Sequence, residues 1–286
     1  MPGVDSLRLP SLDERFAQLM AQADSGLDVL EAALLIAKNI YGDLDVDAYR
    51  ARLEAMAQCL RDQLDSDASG AERIVALNRF LFEDQGFRPN IDDYYDPRNS
   101  FLNEVLDRRV GIPISLSIVY MEVGRRIGLS LEGVSFPGHF LVKCPLEQGL
   151  VVLDPYSGGA SLTMKDLQER LRDLQAGEVS RNAVPNYLVT AKRHEIVARM
   201  LRNLKSIYLQ RQDYLRALPF IHWMILASPD NAEAVRERGM AYMKLECFRA
   251  ALTDFERYLE LAPAANDSEE IRGHVVDLRR SAARLN

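Results

Sequence analysis

The feature that most narrows the fold of this chain is an echo at 34 residues in its last third. Tyr208, Ala217, Ile221, Met224 and Pro229 recur as Tyr242, Ala251, Phe255, Tyr258 and Pro263. That period holds two antiparallel helices and their turns, and one such unit cannot bury its apolar face alone, so copies must stack. The copies are imperfect. A small residue is expected early in each unit, and it is Gly239 in the second copy but Lys205 in the first; Arg238 stands where leucine is usual. Ile271, Val275, Leu278, Ala282 and Leu285 predict a closing helix, and the residues around His194–Met200 a leading one. From Tyr187 onward the chain reads as helix throughout.

Upstream the pattern changes. Residues 1–10 read as a loose leader. Ser11 followed by Glu14 is a helix start. Asp28 to Ile40 is apolar around most of its circumference and should be buried on several sides. Asp47 to Leu64 and Ala71 to Phe82 carry further helical faces, separated by the polar run Asp65–Gly70. Gly86 to Asp96 is a loop with paired acids and paired tyrosines. It lacks the glycine-then-glutamate spacing of a calcium loop, and Asp96 ahead of Pro97 suits an N-cap. Pro113 opens the next helix, on which Leu116, Val119, Tyr120, Val123 and Ile127 recur at helical spacing before Gly128 stops it. Strand-like LEGVSFPGHFLVKC and LVVLDPYSGG follow. Ser161 to Leu174 reads as a helix capped by Ser161 or Thr163, and Ala176 to Asn186 as a polar connector.

The two strand-like segments bring chemistry together. If Pro145 to Gln148 form a four-residue loop, Cys144 faces Gly149 and His139 falls opposite Asp154. Opposed side chains have Cβ atoms roughly 4.5–5.5 Å apart. His139 and Asp154 can then pair as imidazole and orienting carboxylate, as in a catalytic triad, or simply as a satisfied strand end. Cys144 lies five residues from His139, on the opposite face of the strand, and is a poor nucleophile for it. Ser115, near the start of the 113–127 helix, is the nearest hydroxyl with a sensible address. Asn103 either bonds local backbone or reaches the His139–Asp154 pair.

Composition excludes several classes. The formal charge of −7 argues against a general nucleic-acid or anionic-membrane binder. No apolar run approaches the ~20 residues of a membrane helix, and MPGVDSLRLPSLDERF lacks the pattern of a secretory signal. Three scattered cysteines, Cys59, Cys144 and Cys247, fit reduced thiols in a cytoplasm. His194, His222 and His274 are lone helical histidines, so no metal site and no cofactor are expected.

The segments DYYDPRNSFLNEVLDRRVGIPISLS, GVSFPGHFLV and LDPYSGG resemble those of the bacterial invasion-regulator B family, in which a transglutaminase-like domain precedes tetratricopeptide repeats. The resemblance implies an α+β, papain/transglutaminase-like domain with a helical N-terminal part over residues 1–180, then an all-α tetratricopeptide-repeat domain over 187–286. It implies a Cys–His–Asp triad, and His139 and Asp154 match its last two members. No cysteine lies between Gly111 and Gly128; the position falls near Pro113. Two functions follow. One is a non-catalytic, regulatory module that binds a protein or peptide through its repeats, with Tyr208 and Tyr242 as candidate contacts. The other is a hydrolase or acyl-transferase using a Ser115–His139–Asp154 triad.

Overall fold

The structure, a computed structural model, describes residues 10–175 and 180–284. Residues 1–9 of the expected leader and residues 176–179 of the expected connector lie outside them. The chain divides into two compact units, residues 28–200 and residues 10–27 with 201–284. The first helix therefore groups with the repeats rather than with the α+β part, and the division falls near residue 200 rather than 180. Aromatic packing accounts for the first helix: the Phe16 ring stacks on Trp223 at 4.0 Å between centroids.

Helix α1 (Leu12–Met20) begins at a capping box in which Ser11 and Glu14 satisfy each other's backbone N–H groups. Helix α2 (Val29–Lys38), capped by Asp28, buries eight of its ten residues, as its all-round apolarity requires. Helix α3 (Val46–Arg61) is capped by Asp45 and α4 (Gly70–Asn78) by a second capping box, Ser69 with Glu72. A π-helical turn, Arg79–Asp84, continues α4. The loop after it contains a short strand β1 (Arg88–Pro89). Helix α5 (Leu102–Arg108) leads to β2 (Val110–Gly111), which pairs with β1 in parallel. Val110–Gly111 is thus extended, and the chain reverses just before it through Arg109 in the left-handed region (φ 61°).

Helix α6 (Pro113–Arg126) is the axis of this unit: eleven of its fourteen residues are buried, Ser115 and Ser117 among them. Against it lies an antiparallel sheet of β3 (Glu132–Val134), β4 (Leu141–Leu146), β5 (Gly149–Asp154) and β6 (Ala160–Leu162), in that order. The segment expected to be one strand is two, because the chain turns at Pro137–Gly138, with Gly138 at φ +66°. The hairpin register also differs. Leu146 pairs with Gly149 and Val142 with Leu153, so the loop is Glu147–Gln148 and every pair is displaced by two residues from the expected one. An even displacement leaves each side chain on its expected face. Helix α7 (Met164–Gln175) closes the sheet through Leu167 and Leu171, which pack with Val134, Phe136 and Val152. Thr163, not Ser161, caps it, exchanging hydrogen bonds with Asp166.

Helix α8 (Arg193–Gln210) spans the division, and α9 (Tyr214–Ala227), α10 (Ala232–Lys244), α11 (Phe248–Leu261) and α12 (Ser268–Arg284) follow in order in the other unit. After Tyr187 the one piece of β-structure among the described residues is an isolated bridge, Val134 to Thr190. Phe255 lies over Gly239, where an added Cβ would sit 2.8 Å from its ring. Arg238 replaces leucine because Asp254 is buried opposite and accepts two of its hydrogen bonds, at 2.8 and 2.7 Å. Val275 and Leu278 of α12 seal the stack.

Candidate functional site

Asp154 ends β5 and N-caps a 3-10 turn, Pro155–Ser157, as the Asp-Pro dipeptide favours. It is wholly buried and accepts four hydrogen bonds. His139 Nε2 (2.8 Å) and Tyr156 N (3.1 Å) reach Oδ1; Ser157 Oγ (2.9 Å) and Arg170 Nη2 (2.8 Å) reach Oδ2. Burial pushes the carboxyl up, but the bonds and charge of His139, with Arg170 and Ser157, outweigh it and hold it at about 2. An ionised Asp154 can only accept, so His139 Nε2 carries the hydrogen and Nδ1 is the nitrogen left for other chemistry.

His139 does not sit on β4. It lies in the turn before it, where His139 N donates to Phe136 O at 3.0 Å. Gly138 is needed there twice over. Its φ is left-handed, and a Cβ would meet the Leu174 side chain at 3.0 Å. A pocket of about 360 Å3 opens beside the imidazole, lined by Phe136, Gly138, Tyr156, Arg170 and Leu174 among others. The Tyr156 ring stands edge-on to His139 at 5.7 Å.

Ser115 is not part of this arrangement. It is fully buried, receives Ile112 N–H at 3.0 Å and donates to Asn99 O at 2.6 Å. Among the described residues no hydrogen bond joins it to His139. Its side chain closes the start of α6, and Gly111 makes room for it: a Cβ there would lie 2.8 Å from Ser115 Oγ. Cys144 is buried, with Sγ toward Pro145 O. Asn103 stays on α5, buried, with no hydrogen bond to His139 or Asp154 and no partner for Oδ1 among the described residues. Tyr208 is buried and stacks on Phe220 at 5.7 Å, and Tyr242 packs half-buried on the core of the repeats. Among the described residues no group of three or more His, Cys, Asp or Glu side chains could hold a metal, and no helix is long and apolar enough to cross a membrane.

Sequence reasoning missed Arg170, Ser157 and Asn99. For Ser157 the signal was present: Asp154-Pro155 repeats the capping dipeptide Asp96-Pro97, where Asp96 likewise accepts from the second residue on, Arg98 N, at 2.9 Å. Arg170 reaches Asp154 only through the packing of α7, which no local pattern announces.

Comparison with known proteins accounts for the architecture. Residues 47–202 match the transglutaminase-like superfamily and residues 204–275 the tetratricopeptide repeat. A UPF0162 protein of Xylella fastidiosa is 41% identical over 256 residues, 89% of this chain and 91% of that one. The UPF0162 protein of Pseudomonas aeruginosa is 34% identical across 91% of this chain and 94% of its own length. The mouse F-box only protein 21 is 32% identical over 153 residues, 47% of this chain and 24% of its own length. With the His139–Asp154 pair held beside a buried helix and a tetratricopeptide stack following, the chain belongs to the UPF0162 family of transglutaminase-like proteins.

Proposed function

We propose that this chain is a protein-binding, regulatory module: a transglutaminase-like domain that has lost its nucleophile, joined to repeats that engage a protein or peptide. Ser115 carries this reading. A serine becomes nucleophilic only when a base accepts its proton at attack. Here that proton is committed to the Asn99 carbonyl at 2.6 Å, inside the core, where no substrate reaches it. The buried Cys144 and the exposed Cys59 and Cys247 form no hydrogen bond with His139 among the described residues. His139 and Asp154 then persist as a structural pair flanking a cleft. We place the chain in a cytoplasm on its three unpaired cysteines, and in the invasion-regulator B group on the PGHF and LDPYSGG segments.

A serine-directed fluorophosphonate and a thiol alkylator test the proposal together. The expected outcome is no fluorophosphonate adduct, with alkylation restricted to Cys59 and Cys247 and no amide-crosslinking activity to abolish. Labelling of the wild type that disappears in both Ser115→Ala and His139→Ala would establish the hydrolase instead.

A further inference from the structure

The loop just before the Asp96 cap exposes apolar surface in a way the fold does not require. Of nine large hydrophobic side chains exposed among the described residues, three lie in its five-residue stretch: Ile91 (79%), Tyr94 (40%) and Tyr95 (60%). Scattered single exposures mean little, but a cluster marks an interaction site.

The loop is also held rigidly. Asn90 N donates to Gly111 O at 3.1 Å, and Asn90 Oδ1 accepts Asp93 N–H at 3.0 Å. Asn99, wholly buried, sends its amide to Asp93 O at 2.8 Å and Tyr94 O at 3.2 Å, and takes Asn90 Nδ2 at 3.0 Å. Ser115 donates to the carbonyl of that same Asn99. The hydroxyl at the start of α6 is therefore a buttress for a surface loop. Preorganised surface binds with less ordering cost than a mobile one.

From the loop a row of rings runs to the His139 cleft. Tyr95 meets Tyr94 edge-on at 5.3 Å, Tyr94 meets Tyr156 at 6.4 Å, and Tyr156 meets His139 at 5.7 Å. The loop's own charge is acidic, and Arg199, whose charge acts on Tyr94, lies over the Phe140 ring at 5.6 Å. Asp92 and Asp93 are exposed, and neither carboxylate has an ion pair or hydrogen-bond partner among the described residues. The nearby guanidinium of Arg98 is already held by Asp96, at 2.7 Å, and Arg108 leans on the same carboxylate at 3.7 Å. Tyrosine faces attract cations, and two unpaired carboxylates add to that preference.

We infer that Ile91, Asp92, Asp93, Tyr94 and Tyr95 form the docking surface for a basic, extended segment of a partner protein, its Lys or Arg side chains laid on the rings and paired with the two aspartates. The inference rests on the binding reading given above and adds both the place and the chemistry of the partner.

Selection of short random linear peptides on the full-length protein tests it. Lys- and Arg-rich sequences should be enriched. The best fluorescein-labelled peptide should lose roughly tenfold or more in affinity in Tyr95→Ala and in the pair Asp92→Asn, Asp93→Asn, and should weaken as salt rises. Far-UV circular dichroism and a melting curve confirm that the variants, all at exposed positions, stay folded. No enrichment, or enrichment of acidic or uncharged sequences, overturns the inference. Basic peptides that bind every variant as they bind wild type also overturn it, while upholding a binding role seated elsewhere. Self-association of the wild type by sedimentation, abolished by Tyr95→Ala, would assign the surface to a second copy of the chain and overturn it too.

Discussion

Ser115 Oγ lies 2.6 Å from the carbonyl oxygen of Asn99, and that bond ties the start of α6 to the loop ahead of α5. Ser115→Ala leaves both the Asn99 carbonyl and Ile112 N–H without a partner in the core. Buried orphans of this kind cost ~1–3 kcal/mol each. Urea unfolding should show a loss of about that size. Amide exchange at residues 91–95 should accelerate in the same variant, since Asn99 holds that loop. A loss of stability with unchanged exchange there would show that Ser115 supports only α6.

Much of this was legible in the sequence, and the failures have physical causes. The 34-residue echo fixed the helical stack because each apolar position has only one place to pack. The hairpin register was misread because Pro145 looks like a loop residue. It sits in β4 instead, where β3 no longer runs alongside: the β3 pairing stops at Lys143, so the missing N–H of Pro145 breaks no ladder. The His139–Asp154 contact does not depend on that register, because the turn at Pro137–Gly138 ahead of β4, not a strand pairing, brings the imidazole to the end of β5. The hydrogen bonds of Ser115 were not legible for a different reason. Residue type and address suggested a nucleophile, but the direction of its hydroxyl depends on Asn99, sixteen residues away.

Asp154 makes the α+β unit sensitive to acid. A carboxyl held at about 2 rather than its ordinary 3.8 favours the folded state by ~2 kcal/mol when ionised. Its folded value is depressed, so this stability is complete above pH 4 and is lost as the pH falls toward 2. Asp154→Asn should cost ~3 kcal/mol at neutral pH, because the amide keeps only one acceptor oxygen for the partners of two, and Arg170 loses its countercharge. Its stability should then fall less steeply than wild type's between pH 4 and 2. Parallel curves in urea titrations across that range would contradict the assignment.

Trp223 reports on the first helix. It is the only tryptophan of the chain; its Nε1 donates to Asp13 Oδ1 at 2.7 Å and its ring stacks on Phe16. Phe16→Ala should cost ~3–5 kcal/mol through the cavity it opens and shift tryptophan emission to longer wavelength as water reaches the indole. Unchanged emission would mean that α1 does not hold this position on α9 in solution.

The first repeat offers a test of what a buried charge does at a position meant for a small side chain. Lys205 stands where the second copy has Gly239, and its Nζ reaches both carboxylate oxygens of Glu237 at 2.7 Å. The two side chains are 9% and 19% exposed, too enclosed for solvent to screen the pair well. If the small-residue rule governed, Lys205→Ala would stabilise the repeat. The ion pair predicts the reverse: Glu237 would be left uncompensated, at a cost of ~3 kcal/mol. Adding Glu237→Leu to Lys205→Ala removes the stranded charge and restores apolar packing, so the double variant should recover most of that loss. The coupling between the two substitutions should fall within ~0.5–3 kcal/mol by a double-mutant cycle in urea. Additive effects, or a Lys205→Ala protein more stable than wild type, would show that the pair is incidental and that Lys205 merely fills space.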